Sequence, residues 1–84
     1  MFYVYILKNE YGEIYYGCTK DLKRRFFEHN NGESFATKNR KWKLIYYEAY
    51  AGKEDAWMRE KQLKCHGQAL AQLKRRIKKS LNES

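Results

Sequence analysis

Phe2-Tyr-Val-Tyr-Ile-Leu7, followed after a polar gap by Ile14-Tyr-Tyr-Gly17, is the part of this chain whose reading decides its fold. The first segment is apolar, β-branched and aromatic throughout, which suits a strand buried on both faces. The gap, Lys8-Asn-Glu-Tyr-Gly-Glu13, is polar and carries Gly12 where a turn can need a positive φ. The pattern predicts a hairpin over residues 2–17. In such a hairpin Tyr5, within the first strand, and Tyr15, opening the second, approach each other across the sheet. By residue type alone they are equally ordinary strand tyrosines packed in a core.

Working outward, Thr19 is the expected N-cap of a helix over Lys20–Asn30, with Asp21 in its first turn and Leu22 and Phe26 on one face. Asn30-Asn-Gly32 is expected to end it in a left-handed cap. Residues 33–41 read as a polar, basic loop, and Trp42–Tyr50 as a third strand. A second helix is expected over Lys53–Lys64, with Ala56, Glu60 and Leu63 on one side. Gly67 breaks the chain, and a last helix, Gln68–Leu81, aligns Leu70, Leu73, Ile77 and Leu81 in one apolar stripe. The order β-β-α-β-α-α implies an α+β fold, a three-stranded antiparallel sheet flanked by helices.

A chain of 84 residues is enough for one domain, expected over 1–84, and too short for two. Aromatics make up 17% of it, eight of them tyrosines, so much of the apolar mass carries a hydroxyl that needs a partner. The net charge of +8, from 18 Lys and Arg against 10 Asp and Glu, suits a polyanionic partner or simply keeps the protein in solution. Cys18 and Cys65 make no disulfide framework, and no leader segment is recognisable. The longest apolar run, Phe2–Leu7, is far short of the roughly 20 residues that span a membrane, so the expected setting is cytoplasmic.

Arg25 and His29, four apart, share one helix face beside Leu22 and Phe26. A guanidinium grips phosphate through two parallel hydrogen bonds, and an imidazole relays protons near neutrality. The plain alternative is a solvated helix face. Glu60 stands on the inward side of its helix, where a carboxylate is costly unless paired or bound to a metal. Arg59 and Lys61 offer it a surface ion pair instead. A lone carboxylate suits a single Mg²⁺ or Mn²⁺ ion, and an acidic cluster for two metals is absent. Cys65 and His66 have no second pair at zinc-ligand spacing. Lys38, Arg40 and Lys41, with Trp42 beside them, form one basic cluster. Lys74, Arg75 and Lys78 belong to another, on the closing helix. Both fit phosphate neutralisation, although the closing helix could equally be presenting its solvated side.

Taken together, these residues resemble the GIY-YIG nuclease superfamily. Tyr3-Val4-Tyr5 and Tyr15-Tyr16-Gly17 match its two strand tripeptides, with degenerate letters. The run from Tyr15 to Arg25 is close to its strand-to-helix signature, and Trp57-Met-Arg-Glu-Lys-Gln-Leu-Lys64 is similar to the segment holding its metal-binding glutamate. The resemblance covers residues 2–66 and implies a phosphodiesterase site on the sheet. In it Tyr5 is general base or water-orienter, Tyr15 positions water or phosphate, Arg25 holds the scissile phosphate, His29 assists proton movement and Glu60 ligates a divalent cation. Three positions depart from the family pattern. Tyr3 replaces a glycine, Cys18 stands where some relatives have lysine, and Asn82 is a poor match to the family's late asparagine and is left out of the site. The implied partner is nucleic acid, DNA before RNA, with no membrane involved, and a partner protein could supply targeting. The competing readings are a catalytically silent nucleic-acid-binding module on the same fold and a protein-interaction domain presenting its basic last helix.

Overall fold

The computed structural model describes residues 1–31, 41–65 and 67–82. Its strands are β1 (Phe2–Asn9), β2 (Ile14–Thr19) and β3 (Trp42–Tyr50). Its helices are α1 (Leu22–Asn30), α2 (Lys53–Lys64), α3 (Gln68–Arg76) and α4 (Lys78–Asn82). The sheet is antiparallel in the order β2-β1-β3, which makes β1 central. That position explains its unbroken apolar run: Val4, Tyr5, Ile6 and Leu7 are all buried, alternately on the two faces.

On one face Tyr5 and Leu7 join Trp42, with Tyr15, Leu44 and the α1 residues Leu22 and Phe26 packed against them. On the other, Val4 and Ile6 meet Ala56 and Leu63 of α2 and Leu73 of α3. A bulge in β3 opposite Ile6 and Leu7 pairs Ile6 with Tyr46 but Leu7 with Leu44, so Ile45 and Tyr46 both pack on the α2–α3 side.

The hairpin turn is organised by Asn9. Its side-chain oxygen accepts the N–H groups of Tyr11 and Glu13 at 3.0 and 2.9 Å, and Gly12 takes φ 82°. Two expectations need correction. The N-cap of α1 is Asp21, which accepts the Arg24 N–H at 3.1 Å; Thr19 ends β2, and its hydroxyl accepts the Asp21 N–H. At the other end Asn31 caps the helix with φ −98°, its side-chain amide donating to the Phe27 carbonyl at 2.8 Å, while Gly32 of the expected left-handed cap lies outside the described residues. The single closing helix is two, parted at Ile77 (φ −110°). Ile77 stays on the core, and the Leu81 carbonyl accepts from Lys8, so tertiary contacts override a pattern with no local breaker.

No described helix is long and apolar enough to cross a membrane.

Candidate active site

Four of the five expected site residues converge on the α1 face of the sheet. Tyr5 pairs with Gly17 and Tyr15 with Leu7, so the two tyrosines are diagonal neighbours, ring centroids 6.3 Å apart. The His29 ring lies 4.7 Å from Tyr15 and 5.8 Å from Tyr5. The Tyr5 hydroxyl and His29 Nε2 are hydrogen-bonded at 2.8 Å. Tyr5 and His29 are both essentially without solvent exposure. Helical spacing accounts for the convergence: α1 buries His29 one turn after Arg25, whose guanidinium stands at the margin and bonds Glu28 at 3.0 Å.

Gly17 makes room for this arrangement. A Cβ on it would lie 2.3 Å from the Cζ and Oη atoms of Tyr5, so the phenol lies directly over the glycine backbone. The glycine of the second tripeptide is therefore a steric requirement of the Tyr5 ring.

The electrostatics oppose easy ionisation. Burial, then the neighbouring Tyr15, push the Tyr5 phenol well above its ordinary value; Arg25 pulls it down and Glu60 pushes it up. His29 is held below its usual value by burial and then by Arg25, with Glu28 opposing. With both groups neutral near pH 7, the phenol donates to Nε2 in the imidazole tautomer protonated at Nδ1, and Nε2 donates to the phenol oxygen in the other.

Glu60 approaches from the other layer. It lies on α2, partly exposed, with an ion pair to Lys64 at 3.2 Å in place of the anticipated Arg59 or Lys61. Its carboxylate is close enough to Tyr5 and Cys18 to raise both phenol and thiol, after burial as the leading cause. Among the described residues no three His, Cys, Asp or Glu side chains cluster as metal ligands. Glu60 would thus be a single protein ligand completed by water, a donor set that fits Mg²⁺ or Mn²⁺.

The remaining expected residues do not join this cluster. Lys38 and Arg40 lie outside the described residues. Lys41 is exposed at the start of β3, while Trp42 is buried against Tyr15 and Leu7, a core residue and not a base platform. Lys74, Arg75 and Lys78 are exposed in the α3–α4 layer, which covers the opposite face of the sheet. Arg59 makes a bond network that the sequence reading missed. It grips Glu48 through Nε and Nη2 at 2.9–3.1 Å, and Glu48 also accepts the hydroxyls of Tyr46 (2.6 Å) and Tyr50. The available signal was the period-two spacing of Tyr46, Glu48 and Tyr50, which puts all three on one side of β3.

The profile of the GIY-YIG catalytic domain matches residues 1–75. The chain is 36% identical over 64 residues to a UPF0213 protein of Staphylococcus saprophyticus, covering 74% of this chain and 78% of that one. It is 36% identical over 66 residues to a UPF0213 protein of Staphylococcus epidermidis, covering 76% and 80%. With a UPF0213 protein of Clostridium perfringens it shares 38% over 66 residues, covering 76% and 71%. No solved structure matches the chain significantly.

Proposed function

Because this chain belongs to the GIY-YIG catalytic-domain family, we propose that it is a metal-dependent endonuclease that hydrolyses phosphodiester bonds in nucleic acid, DNA before RNA. The observation that carries the reading is the buried Tyr5–His29 hydrogen bond beside the Arg25 guanidinium. Structural tyrosines do not require a buried imidazole and a phosphate-gripping cation at the same hydroxyl.

In this mechanism Arg25 holds the scissile phosphate and stabilises the charge that builds on its oxygens. Tyr15 orients the attacking water. As the water oxygen bonds to phosphorus in line with the breaking ester bond, its proton passes to the Tyr5 oxygen, and the Tyr5 proton moves to His29 Nε2. The leaving oxygen takes a proton from solvent. When bound, a divalent cation held by Glu60 supplies positive charge that stabilises the leaving oxygen and eases ionisation of Tyr5.

The test is cleavage of supercoiled DNA and of labelled DNA and RNA strands, in Mg²⁺ or Mn²⁺ and in EDTA. Glu60→Ala should abolish the metal-dependent activity, and Arg25→Ala should lower the rate about 100- to 1,000-fold, as for loss of a transition-state donor. Undiminished activity in both variants overturns the assignment. Salt-sensitive binding without any metal-dependent cleavage identifies a silent binding module instead.

A further inference from the structure

Between α1 and β3 an open groove of about 1020 Å³ adjoins the cluster at Arg25, and the mechanism above leaves it without a role. Its apolar floor includes Phe26 and Leu44, and Tyr3 and Tyr47 form a wall. Tyr47 is 53% exposed, and Tyr3 braces it edge to face at a centroid distance of 6.0 Å. A large aromatic left half in solvent on a concave surface is a stacking platform in waiting. Its position is specific: Tyr47 is the direct cross-strand partner of Tyr5 in the β1–β3 ladder.

The rim supplies the complementary charge. Lys20 and Lys23 are exposed, line the groove, and form no ion pair among the described residues. The acids there are engaged: Asp21 caps α1 through the Arg24 N–H, and Glu28 pairs with Arg24 and Arg25. An aromatic wall over an apolar floor, edged by free cations, fits a nucleobase with its phosphates and fits a bare phosphate or an apolar peptide poorly.

We propose that this groove seats an unpaired nucleotide of a DNA strand, its base stacked on Tyr47 and its flanking phosphates held by Lys20 and Lys23. Taking the nuclease reading for granted, that nucleotide neighbours the scissile phosphate at Arg25. The favoured substrates are therefore single-stranded, gapped or flapped DNA. In a continuous duplex both faces of each base are already stacked and cannot meet Tyr47.

The experiment is fluorescence anisotropy in EDTA, where no cleavage intervenes, with a labelled single strand, its blunt duplex, and an abasic sugar-phosphate strand of the same length. Tyr47→Ala should weaken single-strand binding about tenfold, the effect of losing one stacked base, and Tyr47→Phe should keep it within about twofold. The abasic strand should bind the parent protein correspondingly weakly and should not distinguish it from Tyr47→Ala. Circular dichroism confirms folding of these surface variants. Equal binding of Tyr47→Ala and parent to the single strand, or tighter binding of the duplex, overturns the proposal. Base-dependent binding in a protein that never cleaves with Mg²⁺ sinks the nuclease reading and leaves the groove assignment standing. Cleavage indifferent to Tyr47 and to unpaired bases does the reverse.

Discussion

Replacing Gly17 by Ala tests the geometry of the site without touching a polar group. The added Cβ would lie 2.3 Å from Cζ and Oη of Tyr5 and 2.7 Å from Cε1. Non-bonded carbons rest at about 3.5–4.0 Å, so the ring must retreat by more than an ångström. An exposed tyrosine would swing away at little cost, but this one is buried against Leu7 and Trp42 and bonded to His29 at 2.8 Å. Forcing a methyl into such packing costs about 1–3 kcal/mol. Pulling the phenol from His29 leaves a buried ring nitrogen unsatisfied, about 1–3 kcal/mol more. Urea denaturation of Gly17→Ala should therefore show a loss of about 2–6 kcal/mol, the sum of those two effects. Any activity should fall about 100-fold from a misplacement of this size. The decisive measurement is the cycle with Tyr5→Leu, whose side chain ends short of Cζ. The double variant should be clearly more stable than the sum of the singles implies. Stability of Gly17→Ala within about 0.5 kcal/mol of the parent, the range of a neutral surface change, or strict additivity in the cycle, refutes the reasoning.

Other outcomes follow from burial and charge. His29 is held below its ordinary value, so as pH falls through about 6.5 the unfolded chain takes up its proton first and stability drops until the folded-state value is passed. His29→Gln should flatten that stretch of a pH series of urea melts, and an unchanged slope would count against it. Burial alone would raise Glu48, but the bonds from Arg59, Tyr46 and Tyr50 outweigh it and hold the carboxyl low, so its loss of stability belongs below about pH 4.3. Arg59→Leu strands that carboxylate and should cost about 1.5–3 kcal/mol at neutral pH, while the two phenols, pushed up to about 12 with burial the leading cause, stay protonated. A denaturation midpoint equal to the parent's would show the network to be incidental. Gly67 has φ 86° and ψ −157°, a region open essentially to glycine alone. Gly67→Ala should lose about 1–3 kcal/mol although its Cβ meets no atom within 4 Å. Retention of full stability would mean that the α2–α3 junction relaxes freely.

What the sequence revealed in advance divides by range. Features set by a few neighbouring residues were legible. The double-sided burial of β1 shows as an unbroken apolar run, the approach of Tyr5 and Tyr15 follows from a hairpin, and Arg25 and His29 share a face by helical spacing. Features set by which surfaces meet were not. Arg59 has carboxylates beside it at Glu60 and nearer in sequence than Glu48, and only the rotation of α2 against β3 selects Glu48. Tyr47 reads as one more strand aromatic; its half exposure depends on where α1 stops covering the sheet. The basic clusters were legible as charge but not as position: Lys74, Arg75 and Lys78 stand on the layer away from Tyr5, whereas Lys20 and Lys23 line the groove that Arg25 shares.

The raised Tyr5 phenol constrains any chemistry at this cluster more tightly than the motif does. A free phenol already ionises only near pH 10, and burial here carries Tyr5 well beyond that. At neutral pH the phenol keeps its proton and His29 is neutral; in the imidazole tautomer protonated at Nδ1, the phenol donates and Nε2 accepts. A proton arriving at the Tyr5 oxygen must be matched by one leaving for Nε2, so neither residue works as an isolated base. Two charges decide how costly that exchange is. Arg25 favours the phenolate, and Glu60 opposes it. Neutralising Glu60 by a bound cation would remove the opposing influence and add a favourable one. Tyr5 should accordingly titrate lower in Glu60→Gln than in the parent when both are metal-free, as ultraviolet difference spectra of a variant keeping few other tyrosines would show. An unshifted Tyr5 there would mean that Glu60 stands too far away to serve the phenol at all.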